Sequence, residues 1–104
     1  MMKFSIALLA LAGAALADTQ VNWSGCGGEH GNTKSGDGDC TNVSGFRTTN
    51  LCEIYVPPPG TDRCEFYTTP CGVPWGDIYY CSVAAGKCNA RPWNAIRSFR
   101  CWSH

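Results

Sequence analysis

The chain has 104 residues with eight basic and eight acidic side chains, and its eight cysteines are Cys26, Cys40, Cys52, Cys64, Cys71, Cys81, Cys88 and Cys101. A chain this short cannot bury the core of a large layered enzyme, and a cysteine content near 9 % of residues 18–104 is that of a disulfide scaffold. Without Lys3 the remainder carries a net charge of −1, which excludes binding to nucleic acid by phosphate neutralisation alone.

Met1 to Lys3 supplies one positive charge, Ile6 to Ala12 is an unbroken apolar run, and Ala15-Leu16-Ala17 offers small residues where a signal peptidase cuts. Residues 1–17 are therefore expected to be a secretory signal, too short to span a bilayer. Residues 18–104 are expected to be the exported cysteine-rich domain, soluble, extracellular and monomeric. In an oxidising compartment the eight thiols should form four disulfides, with the pairing open among 105 arrangements.

Residues 18–45 are rich in glycine and small polar residues, which predicts loop and short strand. Asn22-Trp23-Ser24 and Asn42-Val43-Ser44 fit the acceptor tripeptide for N-linked sugar, making Asn22 and Asn42 candidate glycosylation sites. Further on, β-branched and aromatic residues bounded by proline and glycine predict strands over 51–56, 63–68, 77–82 and 95–102. No window holds a helical apolar period with a start and a stop. The expected class is mainly β, a small single domain stapled by disulfides.

The inventory for catalysis is thin. An even set of cysteines in an exported chain reads as bridges, and the Cys-x6-Cys spacings at 64–71 and 81–88 are too long for zinc pairs. Acid–base cleavage of RNA would need a glutamate (Glu53 or Glu65), a histidine (His30 or His104) and an arginine (Arg63 or Arg97), but no ribonuclease motif surrounds them. The expectation is no catalytic residue, metal or cofactor. The candidate interaction surface is aromatic and cationic: Trp75, Arg91, Trp93, Arg97, Arg100 and Trp102, residue types that carry much of the energy of interfaces. Alternation along 95–102 places Arg97 and Arg100 on opposite faces.

Phe66-Tyr67, Cys71-Gly72 and Asn94-Ala95-Ile96-Arg97-Ser98-Phe99 together resemble one Greek-key motif of the βγ-crystallin family, over residues 65–102. The resemblance implies a hairpin folded back at a glycine, an aromatic ring over that turn and a serine bonded to the hairpin. Where that family holds calcium, two amide or acidic residues and two hydroxyl residues do so; Asn94 and Ser98 fit two of these places, while Ala95 and Phe99 fill the others, so no metal is assigned. The short leader, the small cysteine-rich domain and segments such as Cys64-Glu-Phe-Tyr-Thr-Thr-Pro-Cys71-Gly72 are similar to the small cysteine-rich secreted proteins of filamentous fungi. That likeness implies an effector that binds a host apoplastic protein or a cell-wall polysaccharide, or alternatively an antimicrobial or killer-type toxin acting on microbial membranes or walls.

Overall fold

The computed structural model describes residues 18–43 and 50–103. The secretory signal expected at 1–17, Ser44 of the second sugar-acceptor tripeptide and His104 lie outside the described residues. Eight strands are found among them: β1 (Asp18–Gly25), β2 (His30–Gly36), β3 (Cys40–Asn42), β4 (Leu51–Tyr55), β5 (Arg63–Tyr67), β6 (Ile78–Ser82), β7 (Lys87–Asn89) and β8 (Ser98–Trp102). A 3-10 turn, Val83–Ala85, links β6 to β7. The protein is mainly β, as its β-branched and aromatic runs predict.

All the pairs are antiparallel and fall into two sheets, ordered β2-β1-β4-β7 and β3-β8-β5-β6. The order has a regular logic. β1, β2 and β4 build most of the first sheet and receive β7 from the second half of the chain. β5, β6 and β8 build most of the second sheet and receive β3 from the first half. Each half of four strands thus lends its third strand to the sheet of the other.

The glycine-rich start forms strands of eight and seven residues, longer than the loop and short strand its composition predicts. The correction has a physical origin. In β1 the alternating residues Thr19 and Val21 are buried, with Trp23 packed against the core beside them, so this strand carries a period of two. In β2 almost no side chain contributes apolar area, and the strand is held instead by its ladder to β1 and by the Thr19 hydroxyl on Ser35 O at 3.1 Å. Gly31 lies against the Trp23 indole, where a Cβ would come within 2.8 Å of the ring; glycine here lets the ring lie on the backbone.

Between the sheets, Val21, Ile54 and Val56 face Phe66, Phe99 and Ile96, all at 1 % exposure or less. The Cys64–Cys101 bridge lies in the same layer, joining directly opposed residues of β5 and β8. Cys81–Cys88 ties β6 in one sheet to β7 in the other. Cys26–Cys52 closes the first sheet at the end of β1, and Cys40–Cys71 clamps β3 to the connection between β5 and β6. All eight cysteines are paired.

Candidate functional site

Because Phe66 and Phe99 point into the core, their neighbours Glu65, Tyr67 and Arg100 must face outward from the second sheet. The register sets them in rows. Arg100 lies between Cys40 and Glu65, with Tyr80 beyond; Ser98 lies between Asn42 and Tyr67, with Ile78 beyond. Over one end of this face folds the ten-residue connection 68–77, rich in proline and glycine.

Short-range bonds make that connection rigid. The Thr69 hydroxyl donates to Val73 O at 3.0 Å, the Asp77 N–H donates to the Thr68 hydroxyl at 2.9 Å, and the Val73 N–H donates to Pro70 O at 3.2 Å. It is also tied to the sheet. The buried Ser98 hydroxyl donates to Thr69 O at 2.7 Å, the Cys71 N–H donates to Asn42 Oδ1 at 2.8 Å, and the Cys40–Cys71 bridge fixes the tip. Gly72 and Gly76 take φ of +88° and +112°, backbone that side chains with a Cβ rarely adopt.

Between the connection and the sheet lies a cleft of about 390 Å³ whose wall includes Tyr67, Trp75, Asp77, Ile78, Ser98 and Arg100. That volume is within the range of small-ligand sites, about 300–1,000 Å³. The exposed large apolar side chains gather at its mouth and on the neighbouring strand: Trp75 is 76 % exposed, Tyr80 65 %, Ile78 46 % and Val73 43 %. β6, which carries two of them, is an edge strand. A cluster of this kind, rather than scattered single residues, marks a contact surface.

The electrostatics are local. The Tyr67 hydroxyl donates to Glu65 Oε1 at 2.7 Å. Burial first, and then this bond and the Glu65 charge, push the Tyr67 phenol up from 10.0 to about 12, because each disfavours a phenolate. Asp77 Oδ2 accepts from Asn94 Nδ2 at 3.2 Å. Both carboxylates are engaged. Arg100 Nε, by contrast, is buried without a hydrogen-bond partner among the described residues.

The six residues of the predicted interaction surface separate. Trp75 and Arg100 come together in the cleft. Trp93 is half-buried, stacked on Tyr79 at 4.9 Å and 3° and tilted against Phe66 at 5.3 Å, so it belongs to the packing beneath. Trp102 carries the Arg63 guanidinium 4.5 Å above its ring. Arg91 and Arg97 are exposed and do not line the cleft. Arg97 precedes β8, so strand alternation does not govern its direction.

The other candidates are placed as follows. Asn42 is exposed on β3, its Oδ1 occupied by Cys71, whereas Asn22 is half-buried on β1, its Oδ1 accepting from Gln20 Nε2 at 2.8 Å. His30 and Glu53 share a row of the first sheet on either side of Ser24, two strand spacings or about 10 Å apart. Glu65 and Arg63 lie on the other sheet. Among the described residues no three His, Cys, Asp or Glu side chains group as a metal site, and no helix is long and apolar enough to cross a membrane. Val73, Ile78, Tyr67 and Tyr80 escaped the sequence reading; the signal that could have found them is the same alternation that defines β6, which sets Ile78 and Tyr80 on one face.

Comparison of the chain with protein families, with curated proteins and with solved structures found no match.

Proposed function

We propose that the chain is a secreted effector-type protein of a filamentous fungus that works by binding, without catalysis, to a host apoplastic protein or wall component. The observation that carries the reading is the cleft under the 68–77 connection, with Trp75 standing 76 % exposed at its mouth. An indole held in water by a rigid connection gives the fold no packing, yet on contact it would bury the kind of area on which interface energy concentrates. The connection is braced before any partner arrives, which lowers the ordering cost of association.

Two further observations support the family side of the proposal. The exchange of a strand between the two sheets supports the Greek-key motif that residues 65–102 resemble. Ser98 donates to the hairpin connection, and Gly72 supplies a positive φ within it. Four disulfides suit export into an oxidising, protease-rich space.

The test is a pull-down from apoplastic extract with the oxidised chain and its Trp75→Ala variant. One saturable partner is expected, with capture by the variant at least about tenfold weaker, the effect of truncating a tryptophan hot spot. Equal capture by both proteins overturns the reading. Growth inhibition of competing microbes by the oxidised chain, with no saturable partner, replaces it with the antimicrobial alternative.

A further inference from the structure

The cleft has an uneven balance of donors and acceptors. Its hydroxyl protons are already committed: Ser98 donates to Thr69 O, Thr69 to Val73 O and Tyr67 to Glu65 Oε1. Its carboxylates are also engaged, Asp77 by Asn94 and the adjacent Glu65 by Tyr67. Arg100 stands apart. It lines the cleft, its Nε has no hydrogen-bond partner, and no ion pair joins it to Glu65 or Asp77 among the described residues. Among the described residues Arg100 is the one cationic side chain in the wall of the cleft, and a carboxylate offers a guanidinium two acceptor oxygens at once.

The apolar part of the site narrows the ligand further. A neutral sugar recognised through its hydroxyls needs donors as well as acceptors around the ring, and the hydroxyl protons of Ser98, Thr69 and Tyr67 are already given to protein oxygens. Val73 and Ile78 are aliphatic and add apolar contact area to that of Trp75. The complementary surface is one carboxylate set among large apolar side chains.

We propose that the cleft docks a segment of a partner protein in which an Asp or Glu side chain, flanked by large apolar residues, reaches Arg100 while its neighbours cover Trp75 and Ile78. This assignment rests on the recognition reading above and names the chemistry of the partner.

The experiment screens the oxidised chain with a library of short peptides blocked at both ends, so that side chains alone carry charge. Enrichment of peptides that pair Asp or Glu with Trp, Phe, Leu or Ile is expected. Changing the acid of a selected peptide to its amide, or Arg100→Gln in the protein, should each weaken binding at least about tenfold, and the double change should cost little more than either. Trp75→Ala, at a side chain 76 % exposed, provides a loss that does not depend on how Arg100→Gln folds. The proposal is overturned by absence of enrichment, by enriched peptides without an acid, by indifference to the acid and to Arg100, or by displacement of the peptide by a neutral or uronate oligosaccharide at equal concentration. If Trp75→Ala abolishes partner capture while both changes to Gln or amide are silent, the acidic segment alone is wrong. If Trp75→Ala leaves capture intact, the recognition reading itself falls.

Discussion

Tyr67 shows how one side chain links the sheet to the cleft. Its phenol must stay protonated to donate to Glu65, and its pKa in the folded protein stands above the ordinary value of 10.0, at about 12. A group whose folded pKa is raised lends stability that is full below its unfolded pKa and is lost as pH climbs through the folded one. Tyr67 should therefore contribute fully below pH 10.0 and lose its contribution as pH rises to about 12. Denaturant midpoints measured across that window should fall more steeply for the parent than for Tyr67→Phe; parallel curves would show that the bond to Glu65 has no such role. The sequence singled out Trp75 and Trp93 alike, both in proline-bounded turns. Only the stacking of Trp93 on Tyr79, a contact across the fold, separates the ring that packs from the one that stands in water, and turn chemistry carries no trace of it.

At the scale of elements, strands rich in β-branched and aromatic residues were legible nearly to their ends. The expected 51–56, 63–68 and 77–82 compare with Leu51–Tyr55, Arg63–Tyr67 and Ile78–Ser82, whereas the expected 95–102 begins only at Ser98. β2 was not legible, because backbone pairing and the Thr19–Ser35 bonds hold it rather than apolar side chains. β7, only three residues long, is placed by its partner β4 and the Cys81–Cys88 bridge. The 68–77 connection was legible as a turn but not as the roof of a cleft, since its bonds to Ser98 and Asn42 each span 29 residues. Gly76 is its most constrained point. A Cβ there would sit 2.6 Å from the Thr68 hydroxyl that holds the Asp77 N–H, at a φ of +112°. Gly76→Ala should cost about 1–3 kcal/mol locally. Hydrogen exchange should quicken at Asp77 and Cys71 while amides of Phe66 and Phe99 keep their protection; an unchanged pattern would refute this account of the connection.

In the whole molecule, crosslinks supplement a core of few large side chains. The chain-entropy argument ranks the bridges by the loops they close. Cys64–Cys101 spans 37 residues and Cys81–Cys88 spans 7, so replacing the first pair by alanine should cost about 4 kcal/mol and the second about 2 kcal/mol. Urea unfolding of the two paired variants measures the difference, and a reversed order would mean that tying the two sheets together outweighs loop length. The eight cysteines foretold four bridges, but which thiols meet depends on strand order, and strand order is set by contacts far apart in the chain.

The exchange of third strands also fixes when the protein can be assembled. β8, the last strand among the described residues, is interior to its sheet, and β3 has no neighbour there until β8 arrives. A ribosome delivers β3 long before that partner exists, so the chain cannot mature half by half as it emerges. Its two-sheet architecture closes only once β8 has joined both β3 and β5.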